Sequence, residues 1–518
     1  MGSSSAAMLQ FHEDVDEYEA GGGLVVRPPL SLLQDLKVTV RHTCLVFPSQ
    51  ETEKKSIFLS NIDQVLNFNV QTVHFFTAHK DFPSDVIVAE KLKESLAKIL
   101  VPYDFLAGRL KSNPNSGGRL EIECNAAGAG FVVASSEYTL DEIGDLVYPN
   151  PAFAQLVCIT MDVNNHHREN DACIKHAAHH QYDHPLCILQ VTTFKCGGFA
   201  VGMLTNHVTF DGLSFRLFLD NMAALAGNKP LAMIPYNDRE ILAARSPPRV
   251  TFPHPELNEL KMSTQLGQDD DHLSSTVFES TQEEIDFEIF RLSAVDLAKL
   301  KEKAKPTSSS EGGPHTISSR RVTSFNVVTA LIWRCKALSS CDHQCGGDDG
   351  MDRESRILYA VDIRPRLTPP LPASYTGNAV LTAYASARCR ELEQGPFSRT
   401  VEMVYEGAAR MTDEYARSVI DWGELHKGFP QGDVLVSSWW KLGFAEVEYP
   451  WGKPRYSCPV VYHRKDIILL FPDEPLLGDR NNASGCGGGN GGVNILVALP
   501  LKEMQKFRTL FLKFLLGD

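Results

Sequence analysis

The chain has 518 residues, of which 43% are hydrophobic and 22% charged, a composition typical of a globular protein long enough for two or more domains. Its formal net charge of −14 argues against nucleic acid or an anionic membrane as the main partner. We find no basic leader before an apolar core and no apolar run of ~20 residues, so we expect a cytoplasmic protein without a transmembrane segment, its 12 scattered cysteines being mostly free thiols.

The first half of the sequence alternates between the strand and helix periods. Residues 1–35 are expected to be a disordered start. Gly197 and Gly198 suit the turn of a hairpin, and Gly227 suits the end of a helix. The predicted elements are a strand at 38–47, a helix at 85–101, two strands joined at glycines within 119–136, a hairpin at 188–207 and a helix at 213–227.

The second half repeats this alternation after a proline-rich and then acidic segment. We therefore predict an N-terminal domain at 36–244, an interdomain crossover linker at 245–290 and a C-terminal domain at 291–518. Stretches rich in Gly, Ser and Asp interrupt the second half as surface loops. These loops are at 307–321, 339–352 and 478–492, and the predicted elements are helices at 322–338 and 501–515 and strands at 356–364, 465–471 and 493–500.

The stretch Asn206-His-Val-Thr-Phe-Asp-Gly places a histidine between the predicted hairpin and the helix that follows it. With an ordinary pKa near ~6.5, His207 is able to take a proton from an alcohol or an amine at neutral pH. Asp211 could orient the imidazole, as in a catalytic triad, or pair with an arginine and fix the loop. Gly212 leaves room for a ligand or another backbone to approach.

Two groups of His and Cys residues have spacings found in metal sites. Cys341, His343 and Cys345 lie in a Gly- and Asp-rich stretch without a fourth ligand. His176 and His180 stand four residues apart, but no carboxylate has the offset that a metal site requires. We therefore favour a flexible loop and a solvated polar segment, and predict no metal.

The histidine motif is accompanied by segments in both halves of the chain. Residues 436–456, VSSWWKLGFAEVEYPWGKPRY, resemble the second signature of the plant BAHD acyltransferases, usually Asp-Phe-Gly-Trp-Gly. The resemblance runs from about residue 36 to the C-terminus. Residues 192–212, 236–248 and 439–444 are most similar to the branch that acylates long-chain ω-hydroxy acids and fatty alcohols with hydroxycinnamoyl groups. The other segments that follow the order of the family are 59–64, 99–110, 324–334 and 360–378.

The resemblance implies a fold and a reaction. The fold is α/β, with two domains of similar, chloramphenicol-acetyltransferase-like topology and a channel between them. Acyl-CoA enters the channel as co-substrate and an alcohol or amine as acceptor, with no bound cofactor, and the protein is a monomer. His207 is implied to be the general base, and Trp439 and Ser437 to stabilise the oxyanion. Asp211 is implied to pair with Arg364 in a structural role.

Two glycine-containing pairs also receive roles. Gly377 and Asn378 fall near the crevice between the domains, where they either bind substrate or CoA or form a simple turn. Trp451 and Gly452 retain the end of the second motif, which is structural in the family.

The start of the second motif departs from the family. Glu448, Tyr449 and Pro450 replace the usual Asp-Phe-Gly, and proline lacks an amide hydrogen and restricts φ. We expect an alternative brace here, in which Glu448 keeps a carboxylate and Pro450 stiffens one defined turn.

The sequence therefore predicts an acyl-CoA-dependent O-acyltransferase that moves a hydroxycinnamoyl group to a long-chain hydroxy acid or fatty alcohol. Two alternatives remain: an N-acyltransferase acting on an amine, and a non-catalytic relative that serves as a binding or scaffold protein in lipid metabolism. The presence of both His207 and Asp211 favours an enzyme, whereas the altered second motif favours the scaffold.

Overall fold

The computed structural model describes residues 25–26, 32–82, 85–161, 184–259, 285–305, 322–340, 351–460, 467–473 and 491–516. These residues form two large sheets, one of six strands and one of seven, with helices packed on them and two smaller sheets beside them. The predicted α/β fold with two sheet-containing halves is confirmed.

The elements are labelled in chain order. The described strands are β1 Val25–Val26, β2 Val38–Val46, β3 Lys55–Phe58, β4 Asn69–Phe76, β5 Arg109–Asn113, β6 Arg119–Cys124, β7 Ala129–Ser136, β8 Cys187–Thr193, β9 Phe199–Asn206, β10 Leu257–Glu259, β11 Ile285–Leu292, β12 Glu354–Asp362, β13 Val380–Arg388, β14 Gly428–Pro430, β15 Val434–Ser438, β16 Tyr456–Pro459, β17 Ile467–Pro472 and β18 Val493–Pro500. The described helices are α1 Asn61–Gln64, α2 Asp85–Ile99, α3 Gly212–Ala226, α4 Ala294–Lys303, α5 Ser324–Ser339, α6 Cys389–Gln394, α7 Phe397–Ala409, α8 Asp413–Leu425 and α9 Leu501–Leu516.

The first large sheet has the order β16-β4-β9-β8-β7-β2. Strands β8 and β9 form the predicted antiparallel hairpin, and Gly197 in its turn has a φ of +80°, which glycine adopts without strain. All of β9 is buried, in keeping with its continuous apolar run. Helix α3 begins six residues after this strand ends and packs on α2, so the hairpin leads directly to the histidine motif.

The second large sheet has the order β1-β11-β18-β17-β15-β12-β13. Its core is organised around α5, whose Trp333 is fully buried and donates its indole N–H to Ser355 Oγ at 3.1 Å. Strands β12 and β13 are antiparallel, with Asp362 opposite Val380. The segments that follow β12 and precede β13 therefore meet at one end of the sheet.

The two halves exchange strands. Strand β1, from the segment 1–35, lies antiparallel to β11 in the second sheet, and β16, from the C-terminal half, lies antiparallel to β4 in the first. Strand β11 also begins inside the predicted linker 245–290. The sheets thus do not separate at one point in the sequence, and the boundaries 36–244 and 291–518 stay predictions.

Several predictions fall outside the described residues. These are the loop 307–321, most of the loops 339–352 and 478–492, and both His and Cys groups, at 341–345 and 176–180. Within the described ranges, no cluster of three His, Cys, Asp or Glu side chains could hold a metal ion. The helices in those ranges are all too short or too polar to cross a membrane.

Candidate active site

His207 lies at the end of β9. Its backbone N–H donates to the carbonyl of Phe68 at 2.8 Å, one residue beyond the last β4–β9 pair, Asn69 with Asn206. Its ring lies 5.1 Å from the Phe68 ring, and the residue is partly exposed. The sheet therefore fixes the position of the His207 backbone.

Asn378, just before β13, determines which nitrogen of His207 carries the proton. Its Oδ1 lies 3.1 Å from His207 Nδ1, while its Nδ2 donates to Asp63 Oδ1 and to the His207 carbonyl, both at 2.8 Å. Those two partners only accept hydrogen bonds, so the amide oxygen must face the imidazole. The neutral ring then carries its hydrogen on Nδ1 and its lone pair on Nε2.

Asp211 contacts neighbours other than the imidazole. It caps α3 by accepting from the Ser214 amide at 3.0 Å, and it pairs with Arg364 at 2.8 and 2.9 Å. Its Oδ2 also accepts from the amide of Ala379 at 2.9 Å. Among the described residues no hydrogen bond joins Asp211 to His207. Of the two roles that the sequence left open, these contacts favour the structural one.

Burial controls the protonation of both groups. Desolvation lowers the pKa of His207 below its ordinary 6.5, although the charge of Asp211 and the bond to Asn378 offset part of this effect. The imidazole is therefore neutral at pH 7. Burial acts to raise the pKa of Asp211, but the adjacent Arg364 outweighs it and holds that pKa below its ordinary value, so the carboxylate is charged.

Ser437 and Trp439 share one side of the strand that contains the second motif. Alternate residues of β15 are buried in the core, and Ser437 is on the opposite, partly exposed side. Trp439 continues the strand, since its backbone N–H donates to the Leu470 carbonyl at 2.8 Å, and its ring packs edge-on against Phe444 at 5.1 Å. Within the described ranges neither residue contacts His207 by a hydrogen bond or a ring contact.

The turn after Trp439 docks on α3. Arg216 of this helix donates to the carbonyls of Leu442, at 3.3 Å, and Gly443. At Gly212 a Cβ atom would lie 2.5 Å from Leu442 Cδ1. The space beside Gly212 that was predicted for a ligand or a backbone is thus occupied by the Leu442 side chain, and α3 supports the turn that follows Trp439.

The altered part of the second motif forms a tight turn. Tyr449 and Gly452 exchange backbone hydrogen bonds of 2.9 and 3.2 Å around Pro450, and Gly452 has a φ of +100°. Trp451 is 3% exposed, and its ring lies 5.3 Å from Tyr449 and 5.9 Å from Phe199 of the first sheet. The departure from the family sequence therefore leaves a formed turn that packs on the N-terminal half.

Glu448 and Gly377 have different surroundings. The Glu448 carboxylate is exposed and lies 3.7 Å from Lys453 Nζ. A Cβ atom at Gly377 would lie 2.5 Å from the hydroxyl of Tyr375, which is fully buried. Glycine at 377 therefore makes room for a neighbouring side chain.

Two buried residues near His207 received no role from sequence reasoning. Asp63 is 0% exposed and accepts from Asn378, and Arg239 Nη1 lies 3.5 Å from its Oδ1. Arg239 also donates to the two backbone carbonyls that follow His207. The sequence feature that could have drawn attention to Asp63 is its spacing from Ser60, which is that of a capping box. That spacing predicts a helix start, but not a neighbour 315 residues away.

A family model described as Transferase family matches residues 36–512. The chain belongs to this family. Its members are the BAHD acyltransferases, so the resemblance found in the sequence is confirmed. This BAHD protein is an acyl-transfer enzyme, and acyl-CoA is its co-substrate.

Two relatives show how far the similarity extends. The BAHD chain is 57% identical over 485 residues to acyltransferase GLAUCE of Arabidopsis thaliana, covering 93% of this chain and 97% of the relative. It is 30% identical over 482 residues to the omega-hydroxypalmitate O-feruloyl transferase of the same plant, covering 92% and 93%.

Solved structures share the fold of this BAHD chain. Vinorine synthase has a TM-score of 0.62 at 21% identity, covering 91% of this chain and 96% of that one. TRI101 of F. graminearum, in complex with coenzyme A and deoxynivalenol, has a TM-score of 0.62 at 14% identity, covering 88% and 97%. At such identities the likeness establishes the fold.

Proposed function

We propose that this acyltransferase moves a hydroxycinnamoyl group from CoA directly to a hydroxyl group, with His207 as general base. The observation that supports this role is the 3.1 Å hydrogen bond between His207 Nδ1 and Asn378 Oδ1. It leaves Nε2 with the lone pair, and no described residue hydrogen-bonds to that atom. Because its pKa is lowered, the imidazole is unprotonated at neutral pH and ready to accept a proton.

The reaction proceeds through one tetrahedral intermediate. The acceptor oxygen attacks the thioester carbon while Nε2 of His207 takes the hydroxyl proton, and the carbonyl electron pair moves onto oxygen. The oxyanion collapses, the carbon–sulfur bond breaks, and the CoA thiolate takes the proton back from the imidazolium. The products are the ester and free CoA, with no acyl-enzyme.

Trp439 and Ser437 are the proposed oxyanion donors. They are on the same side of one strand, and the turn that follows them is bound to α3, which begins five residues after His207. A donor held in this way can contribute ~3–4 kcal/mol to transition-state stabilisation.

The proposed acceptor is a long-chain ω-hydroxy acid or a fatty alcohol. Relatives named for omega-hydroxypalmitate and for fatty alcohol with caffeoyl-CoA are 30% and 29% identical. Relatives named for putrescine and shikimate are 29% and 28% identical. The identities of the two groups of relatives thus differ by at most two percentage points, 30 against 28, which is too little to choose the acceptor. The proposal therefore also rests on the branch-like segments 192–212 and 236–248.

Free-thiol release from feruloyl- and caffeoyl-CoA tests the donor and the acceptor together. Alcohols and ω-hydroxy acids of increasing chain length are compared with putrescine and shikimate. Each buried methylene contributes ~0.8 kcal/mol, so kcat/KM should rise about fourfold per methylene until the apolar site is filled. A flat dependence, or a preference for putrescine or shikimate, refutes the acceptor class. If no acyl-CoA and acceptor pair of this panel releases thiol, both the donor class and the acceptor class proposed here are refuted.

His207→Ala tests the base. Turnover should fall by ~10²–10⁴, because a positioned base contributes that factor, while the Kd of acyl-CoA should stay within ~2-fold. His42→Ala, at an exposed histidine on β2, is the matched control and should keep wild-type turnover. Near wild-type turnover in His207→Ala would remove His207 from the mechanism.

We also propose that the enzyme is a cytoplasmic monomer. Six cysteines in the described part of the chain, Cys44, Cys124, Cys187, Cys196, Cys335 and Cys458, are free thiols, and four of them are buried, as in proteins of a reducing compartment. Cell fractionation and gel filtration test this, and a secreted protein or a stable dimer would contradict it.

A further inference from the structure

A buried carboxylate lies behind Asn378. Asp63 belongs to α1 and is 0% exposed. Its Oδ2 accepts from the amide and hydroxyl of Ser60 at 2.9 and 2.8 Å. Its Oδ1 accepts from the amide N–H and Nδ2 of Asn378 at 3.2 and 2.8 Å. The carboxylate thus contacts a helix cap on one side and, on the other, the residue that binds His207.

We propose that Asp63 is a positioning residue for acyl transfer: by holding the Asn378 amide in one orientation, it keeps the proton of His207 on Nδ1 and the lone pair on Nε2. This inference rests on the proposed role of His207 as general base.

The chemical reason is that a charged carboxylate can only accept hydrogen bonds. Facing Asp63 and the His207 carbonyl, Asn378 must turn its NH₂ group to both and its oxygen to Nδ1. A side chain at position 63 that can also donate a hydrogen bond, such as asparagine, would allow the side-chain amide of Asn378 to rotate by 180°. The NH₂ group of Asn378 would then face Nδ1, and the neutral ring would carry its proton on Nε2. An imidazole in that tautomer cannot accept the acceptor proton at Nε2.

Two carboxylates hold the start of β13 in the same way. Asp63 accepts the backbone N–H of Asn378, and Asp211 accepts the backbone N–H of Ala379 at 2.9 Å. Each carboxylate is also paired with a buried arginine. Only Asp63 contacts the side chain that reaches His207, so the two aspartates make separable contributions.

The chain contains a matched control for the helix-cap function of Asp63. Ser293 and Asp296 form the same capping box at α4, where Asp296 Oδ2 accepts from the Ser293 amide and hydroxyl at 3.0 and 2.6 Å. The other oxygen of Asp296 lies 3.9 Å from Lys299, which is exposed. Asp296→Asn therefore makes the same chemical change in the same kind of cap. No hydrogen bond or ion pair among the described residues joins Asp296 to Asn378.

The test combines kinetics with the proton position on His207. In ¹⁵N-histidine-labelled protein, the His207 signals are identified by their loss in His207→Ala. Wild type should show the proton on Nδ1, whereas Asp63→Asn should show it on Nε2 in a substantial fraction. Turnover of Asp63→Asn should fall ~10- to 100-fold, the usual effect of removing a residue that orients a reacting group, with KM for acyl-CoA within ~2-fold. Asp296→Asn should match wild type in both measurements.

The proposal is overturned if His207 keeps its proton on Nδ1 alone in Asp63→Asn, if turnover is unchanged, or if Asp296→Asn loses as much turnover. If circular dichroism shows that Asp63→Asn is unfolded, the exchanged pair Asp63→Asn with Asn378→Asp is measured instead. The carboxylate at 378 can only accept, so Nδ1 should again carry the proton, and a proton on Nε2 would overturn the proposal. The tautomer of His207 is measured without substrate. The general-base role is tested separately, because it fails only if His207→Ala remains active. The two failures can therefore be told apart.

Discussion

Two buried ion pairs surround the loop that carries His207. Asp211 pairs with Arg364 at 2.8 Å, and Asp63 lies 3.5 Å from Arg239. All four residues are 6% exposed or less. Burial makes each charge costly by itself, so the loop is stabilised only while both members of a pair are present.

Asp211→Asn should separate a structural role of Asp211 from a catalytic one. Asparagine is also a good N-cap, so the cap of α3 is retained and the change removes the charge opposite Arg364. The free energy of unfolding in urea should fall by ~3–5 kcal/mol, because a buried charge is left unpaired.

Asp362→Asn is the matched control for this prediction. Asp362 contacts the same Arg364 at 3.1 Å but is partly exposed, so the loss should be ~1 kcal/mol or less. A loss of activity in Asp211→Asn at unchanged unfolding free energy would instead favour a direct catalytic role.

The second motif acts as an element that joins the two halves. The turn between Tyr449 and Gly452 has Pro450 at its second position, where proline is favoured. A Cβ atom built on Gly227, at the end of α3, would lie 3.6 Å from the ring of Pro450. The turn is thus stabilised by its own backbone hydrogen bonds, and it lies beside the C-terminal end of α3.

Pro450→Gly restores the residue usual in the family and should weaken this turn. Glycine enlarges the conformational freedom of the unfolded chain, so the unfolding free energy should fall by ~0.4–1 kcal/mol. Turnover should stay near wild type, since Pro450 is not among the proposed reacting groups. Glu448→Asp, at an exposed side chain in the same motif, is the control and should change stability by less than ~0.5 kcal/mol. A large loss of turnover at unchanged stability in Pro450→Gly would place the turn in the reaction.

At the scale of the whole molecule, the halves interlock. The crossover lies along α8, where Arg245 binds Asp421 at 2.6 Å and His254 binds Ser418 at 2.8 Å. Helix α8 also meets the N-terminal half, since Asn61 donates to the carbonyl of Ile420 at 2.8 Å. Strand β16 completes the first sheet from the other direction. The junction between the two halves, where His207 lies, is therefore stabilised by contacts at several places.

His74 should make this interlocking sensitive to acid. It is buried in β4, its Nδ1 lies 2.9 Å from Ser457 Oγ on β16, and burial lowers its pKa from 6.5 to about 4. Between these two values the unfolded chain binds a proton that the folded protein does not. The free energy of unfolding should therefore fall as the pH drops from 6.5 to 4, by about 3 kcal/mol from this residue.

The free energy of unfolding in urea is measured across that pH range for wild type and for His74→Gln. The difference between the two proteins isolates the contribution of His74, because His207 and the carboxylates are present in both. The variant should lose less stability than wild type between pH 6.5 and 4. Equal losses in the two proteins would contradict the prediction.

The local elements and the chemical centre of this protein could be predicted from its amino-acid sequence alone. The hairpin β8–β9 follows from two apolar runs joined at Gly197 and Gly198, and helices α3 and α5 follow from the helical spacing of their apolar residues. His207 and Asp211 were found because they lie four residues apart on one loop, and the family was evident from motifs spread over both halves.

Which side chains contact each other could not be predicted without the fold. Asn378 contacts His207 across 171 residues, and Asp63 contacts Asn378 across 315. Periodicity reports which face of an element is buried, but not which element covers it, so these partners left no local signal. For the same reason the exchange of β1 and β16 between sheets was not predicted. The orientation of one amide, and with it the proton position on His207, depends on the packing of two sheets against each other.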